Sequence, residues 1–189
     1  MDTLLNEFTV NRPINEAWEV LTDVERIAPC MPGAQLKEIE GDVFRGVVKV
    51  KLGAISTEFK GQASFTERDD TAHRAVLKAE GRDIGGKGNA DAVITARLES
   101  VSPNVTKCAV ETELRVTGKV AQFGRGIMAD VSKKLMNQFA TNLNTMLDEQ
   151  QRTPDTATTA PDAGSETGGD TAPATASATP TVEPADDGA

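Results

Sequence analysis

Tyrosine is absent from this chain of 189 residues, and histidine and tryptophan occur once each, as His73 and Trp18. A Ser/His/Asp or Cys/His nucleophilic apparatus would therefore have to be built on His73 alone. That residue follows Asp69-Asp70 in a turn signature and reads as a surface-loop histidine. Cysteine occurs only at Cys30 and Cys108, a separation that makes no zinc signature. Without a visible export signal both are expected as reduced thiols, and no metal site is expected. Nowhere do about 20 consecutive apolar residues occur, so no helical membrane span is expected. Positive charge is also in deficit, with 20 Lys+Arg against 29 Asp+Glu and a formal net charge of −9. Phosphate contacts demand a basic footprint, so no nucleic-acid partner is expected.

The composition changes sharply near residue 150. Residues 151 to 189 hold seven acids, one base, five of the nine prolines and one large aliphatic residue, Val182. Such a segment buries too little apolar surface to offset its chain entropy. The expected organisation is one domain over residues 1–148 and a disordered acidic, Pro/Ala/Thr-rich tail over residues 149–189.

Within the domain, Leu4, Phe8 and Val10 share one parity and read as a first strand. Asn11-Arg12-Pro13 signals a helix start, with Asn11 as a capping candidate, and Ile14, Ala17, Trp18 and Leu21 make one helical face. A shorter helix is expected from Asp23 to Ala28, capped by Asp23 and stopped by Pro29. Pro29-Cys30-Met31-Pro32-Gly33-Ala34 has too many breakers for helix or strand and reads as an unusually apolar loop. Cys30, with nothing basic beside it, reads as a packed small hydrophobe rather than an activated thiol.

From Gln35 to Thr117 the period is two, broken by turn signatures into about six antiparallel strands. The run Gly81 to Gly88 lacks both the strand-to-helix context and the Lys-Ser/Thr ending of a phosphate loop, and reads as a strand connection. Ile127, Val131, Leu135, Phe139, Leu143 and Leu147 then recur every four residues along one long helix. A curved antiparallel sheet with consecutive hairpins needs something long to cover its inner face, and the terminal helix is the candidate. The expected class is α+β: a helix-grip, with the sheet wrapped around the C-terminal helix.

The inward parity mixes large residues with small ones, among them Gly46, Gly61, Ala63, Ala79, Ala90 and Ala92. At ordinary packing density such a wall either approaches its helix closely or leaves an elongated apolar cavity. The cavity is the preferred reading. Its expected lining from the strands is Phe44, Val48, Phe59, Leu77, Ile94, Val110 and Leu114, and from the long helix Met128, Val131, Leu135 and Phe139. Phe123-Gly124-Arg125-Gly126 places two glycines around an arginine where the helix begins, which reads either as a delayed helix start or as a hinge. In the second case Gln122, Phe123 and Arg125 stand near the cavity mouth.

Three separated motifs carry a resemblance: Arg26 to Ala34 after a Trp-containing first helix, Val48-Lys49-Val50-Lys51-Leu52-Gly53, and Thr117 to Gly126 followed by Asp130-Val131-Ser132. Over about residues 1 to 148 the chain resembles the CoxG family, accessory proteins of aerobic carbon monoxide dehydrogenase within the START-like (SRPBCC) superfamily. The resemblance implies an accessory protein of a molybdenum carbon monoxide dehydrogenase, or of a related molybdenum hydroxylase, associated with bringing that enzyme to the cytoplasmic membrane. It further implies a non-enzymatic carrier whose cavity binds a menaquinone-like quinone as electron acceptor for the dehydrogenase. An adaptor that recruits the enzyme without carrying a ligand is the alternative. A START-like enzyme is a third reading, for which the inner face offers no acid/base pair beyond His73. The expected location is cytoplasmic, peripheral on the inner face of the membrane. An acidic tail would be repelled by anionic lipid, so the expected membrane or partner contact is the loop Pro29, Cys30, Met31, Pro32, Gly33.

Overall fold

The computed structural model describes residues 1–152. Strand β1 (Asp2–Val10) turns Leu4, Phe8 and Val10 inward, and all three are buried. Helix α1 (Ile14–Thr22) buries Ala17, Trp18 and Val20, a wider face than the spacing alone predicts. Its expected side-chain cap is not made: Pro13 occupies the N-cap position, and Asn11 instead donates its backbone N–H to Asn144 Oδ1 at 3.0 Å. Helix α2 (Val24–Ile27) is capped as expected, Asp23 accepting from the Arg26 backbone N–H at 3.2 Å. The helical path does not stop at Pro29. Residues Ala28–Cys30 continue as a 3-10 turn, because a proline in a first turn costs no hydrogen bond.

Six further strands follow: β2 (Ala34–Glu40), β3 (Val43–Leu52), β4 (Ile55–Asp69), β5 (Arg74–Asp83), β6 (Gly88–Ser102) and β7 (Val105–Gly118). They form one antiparallel sheet with β1, in the order β1-β7-β6-β5-β4-β3-β2. Each strand from β2 to β7 pairs with its neighbour in sequence, whereas β1 lies at the far edge beside β7. The two short helices therefore carry the chain from one edge of the sheet to the other. Gly46 faces Gly61, Gly61 faces Gly81, and Gly81 faces Ala90, so a row of minimal side chains crosses four strands. A Cβ on Gly61 would overlap the carbonyl oxygen of Glu80, and one on Gly46 that of Gln35. Neighbouring main chain occupies this space, which lets the sheet bend tightly along the row.

A 3-10 turn (Lys119–Phe123) leads into α3 (Gly124–Arg152). The helix starts earlier than its apolar stripe and runs past the expected boundary at residue 148. Residues 153–189, where most of the expected disordered tail lies, are outside the described residues. Only the second half of the stripe is buried, at Phe139, Leu143 and Leu147. These join Phe8, Val10, Trp18, Leu98, Cys108 and Val110 in the core, each large side chain contributing about 1.5–3 kcal/mol. Polar ties hold α3 in place along its length. Asn144 donates to the Thr9 carbonyl and Asn142 to the Cys30 carbonyl, both at 2.9 Å, while Asn6 donates to Ser132 Oγ at 2.8 Å. The result is the helix-grip arrangement, with its core under one end of the sheet.

Candidate functional site: an apolar cavity under the sheet

Toward the other end the space between sheet and helix is not filled. A cavity of about 370 Å³ remains there, with an almost wholly apolar wall. Cross-strand register explains its shape. The row Phe44, Ala63, Ala79, Ala92 runs beside the glycine row, so two adjacent rows of small residues are flanked by large ones. Val48, Phe59, Leu77 and Ile94 close the sides, and Phe139 is the one α3 side chain on the wall. Val24, Ile27, Ala28 and Met31 cover it from α2 and the turn that follows.

Of the residues expected on this wall, Phe44, Val48, Phe59, Leu77, Ile94 and Phe139 stand on it. Val110 is buried in the core instead. Leu114 is half-buried on β7, opposite Ala92, and does not reach the cavity. Met128, Val131 and Leu135 are half-buried along the first half of α3 but off the wall. That half of the helix is tied to β1 by the Asn6–Ser132 hydrogen bond and by Arg125, which pairs with Asp2 at 3.2 Å. The ion pair takes Arg125 away from the position expected for it. Gln122 is exposed and Phe123 half-buried in the turn before α3, and neither lines the cavity.

The loop expected to face a membrane or partner is turned inward. Cys30 is buried, its Sγ 3.7 Å from Met146 Sδ and its carbonyl held by Asn142. Met31 faces the cavity, Pro32 is half-buried, and the Gly33 carbonyl accepts from the Lys49 N–H at 2.8 Å. Only Pro29 and Gly33 remain exposed. The apolar character visible in this segment belongs to a cavity roof. Sequence reasoning missed the roof's continuation backward through Val24 and Ile27, although their helical spacing of three was there to be read.

No titratable side chain of the inner parity lies on the wall. Arg45 and Glu80 border the cavity from the outward parity, where they pair with Glu40 and Lys78 respectively. Among the described residues, the one buried carboxylate near this end is Asp83. It accepts from the Thr57 hydroxyl and from the Lys87 backbone N–H, and these bonds hold it below the usual carboxylate range. His73 sits in the β4–β5 turn with φ 49°, edge-on to Trp18 at 5.5 Å between ring centroids. Among the described residues no group of three His, Cys, Asp or Glu side chains could hold a metal ion, and no helix is long and apolar enough to cross a membrane. The geometry can take up an apolar group, and the charged residues at its edge, Arg45 and Glu80, are held in ion pairs on the outward parity.

Residues 7–148 match the family model for CoxG, a subunit of carbon monoxide dehydrogenase. The chain belongs to the CoxG family. That name ties the family to carbon monoxide dehydrogenase as an accessory subunit. No curated protein matches the sequence. Among solved structures, a conserved protein from Geobacillus kaustophilus is similar with TM-score 0.70 at 19% identity, over 79% of this chain and 97% of that one. An aromatase/cyclase from Streptomyces sp. R1128 is similar with TM-score 0.57 at 13% identity, over 80% and 96% of the two chains. Norcoclaurine synthase from Thalictrum flavum, in complex with dopamine and hydroxybenzaldehyde, gives TM-score 0.54 at 13% identity over 78% and 87%. These likenesses show that the CoxG chain has the helix-grip, START-like fold.

Proposed function

We propose that this CoxG protein is a non-enzymatic carrier of a polyprenyl quinone of the menaquinone type. It takes the quinone from the inner face of the cytoplasmic membrane and presents it to a molybdenum carbon monoxide dehydrogenase or a related molybdenum hydroxylase. The observation that carries this reading is the apolar cavity of about 370 Å³, whose wall has no inward titratable group. That volume is at the lower end of small-molecule sites and suits a ring with the first part of a tail. Apolar burial at roughly 25 cal/mol per Å² supports binding after association entropy is subtracted.

The test is native mass spectrometry of the purified protein, with organic extraction of its cargo, before and after incubation with quinone-containing vesicles. A bound mass of a polyprenyl quinone, recovered chemically unchanged after long incubation, is expected. A protein that stays empty yet captures the dehydrogenase would overturn the carrier reading in favour of a recruitment adaptor. Chemical conversion of the cargo would assign the chain to an enzyme, as with the cyclase and synthase that share its fold.

A further inference from the structure

The β3–β4 turn at residues 53–54, the β5–β6 turn at residues 84–87 and the 3-10 turn that precedes α3 come together at one end of the sheet. The Ile84 N–H donates to the Glu58 carbonyl at 2.8 Å, and the Val120 N–H to the Lys87 carbonyl at 3.3 Å. The Thr57–Asp83 hydrogen bond fastens the two hairpin ends to each other. On this rigid platform three isoleucines face solvent: Ile55 is 43% exposed, Ile84 60% and Ile127 37%. Around them stand Lys51, Lys87, Lys119 and Arg125, all exposed. Of the acids nearby, Asp83 is buried and bonded, Asp2 and Arg125 pair with each other, Glu58 stands across from Lys49, and Asp130 is exposed one turn after Ile127. The opposite end of the sheet is the more acidic, with Glu40 and Asp42 at one connection and Asp69 and Asp70 at another, beside Arg68 and Arg74. Three of the four exposed isoleucines are thus gathered at one pole, beside three lysines that make no ion pair among the described residues, in a chain of net charge −9.

We propose that this pole is the docking surface for an anionic lipid bilayer. The proposal rests on the carrier reading and names the surface through which the carrier meets the membrane. Short apolar tips inserted at the headgroup boundary, with three lysines beside them, match an anionic bilayer in both polarity and charge. A protein partner would instead favour clustered aromatic or arginine anchors in a closed pocket, and the isoleucines stand apart on separate turns. The cavity lies in the same half of the sheet: Gly81 and Ala90 on its wall are two residues from the ends of β5 and β6, or about 7 Å along a strand. Docking by this pole brings the cavity, rather than the packed core, up to the lipid.

The experiment is co-sedimentation of the full chain with vesicles of phosphatidylcholine alone and of phosphatidylcholine with phosphatidylglycerol. The variants are Ile55→Ser with Ile84→Ser, and Lys51→Gln with Lys87→Gln and Lys119→Gln. Val101→Ser, an exposed apolar residue at the acidic pole, is the control. Wild type is expected on the anionic vesicles only, with salt weakening it, and each lysine should contribute about fivefold in partition. The isoleucine pair should lose at least about tenfold, and Val101→Ser nothing. Quinone uptake from detergent solution should be unchanged in every variant, so a failure of lipid docking is separable from a failure of the carrier reading. Undiminished vesicle binding by the variants, absence of anionic binding in wild type, or self-association that the same substitutions abolish would each overturn the proposal.

Discussion

The ring of Phe139 meets that of Phe8 edge-on, with centroids 5.5 Å apart, while Phe139 also borders the cavity. This side chain thus belongs to both core and cavity wall, as Leu77 and Ile94 do from the sheet. Leu143, one helical turn further on, is fully buried and lies off the wall. Phe139→Ala should cost about 3–5 kcal/mol and Leu143→Ala about 2–5 kcal/mol in urea unfolding. Only the first should alter ligand uptake, because only the first changes the wall. Equal effects on uptake would show that Phe139 acts through stability alone.

Ala79 and Ala92 face each other across β5 and β6, and both stand on the cavity wall. Adding bulk to a packed core costs about 1–3 kcal/mol, but here the new ring enters cavity space. Ala79→Phe or Ala92→Phe should leave the thermal midpoint unchanged or raised and reduce quinone loading at least about tenfold. Loss of stability with intact loading would mean that the ligand sits elsewhere.

The inward parity was legible because strand side chains alternate with a period of two, so Phe44, Gly46 and Val48 had to share a face with Phe59, Gly61 and Ala63 once a hairpin joined them. The long helix was legible as an apolar stripe for a related reason. Which strands that stripe lies on was not: Asn6–Ser132 and Asp2–Arg125 join residues more than 120 positions apart, and no local pattern reports such ties. Val131 and Leu135 were therefore expected over the cavity and are found beside β1. Composition likewise marked residues 29–33 as apolar without saying whether they face water or the inside. Ile55 shares the inward parity of Phe59 and Gly61, which predicts it inside, yet at the start of β4 it is exposed; Ile84 stands in a turn, where parity says nothing.

Gly61 and Gly81 face each other but tolerate a side chain unequally. At Gly61 a Cβ would overlap the Glu80 carbonyl oxygen, which is main chain and cannot move aside, whereas at Gly81 the nearest atom is Phe59 Cβ at 3.4 Å. Gly61→Ala should destabilise by at least about 1–3 kcal/mol, and Gly81→Ala should be close to neutral. Unfolding midpoints in guanidinium measure both. A neutral Gly61→Ala would show that β4 and β5 do not approach this closely.

The indole N–H of Trp18 donates to Asp70 at 2.8 Å, and this bond, then that from Arg68, holds the Asp70 carboxyl below its usual range. A depressed carboxylate stabilises the fold above its unfolded value near pH 3.9, and that contribution is lost as pH falls through the native value. Trp18 is the only tryptophan, so the emission comes from the ring that makes this contact. Emission and stability should be flat from pH 8 to about pH 5 and change below about pH 4. Asp70→Asn, which keeps an acceptor but no charge, should retain the emission maximum and lose that acid response. An unchanged acid response in Asp70→Asn would show that the Trp18–Asp70 bond does not carry it.

Cys108 is near the start of β7, paired with Phe8 on one side and Leu98 on the other, and burial pushes its thiol up to about 12. The unfolded thiol ionises near 8.5, so between these values the native state keeps a proton that the unfolded chain releases. Stability is therefore complete below about pH 8.5 and falls as pH rises toward 12, a slope that Cys108→Ala should reduce. Burial also raises Cys30, but that residue sits in a 3-10 turn beside exposed Pro29 and can open locally without breaking a sheet ladder. A thiol reagent at pH 8 should accordingly modify Cys30 first, and Cys108 only at the rate of global unfolding. Mass spectrometry of partially labelled protein reads the order, and Cys108 labelling ahead of Cys30 would mean that the β1–β7 edge opens before the cavity roof does.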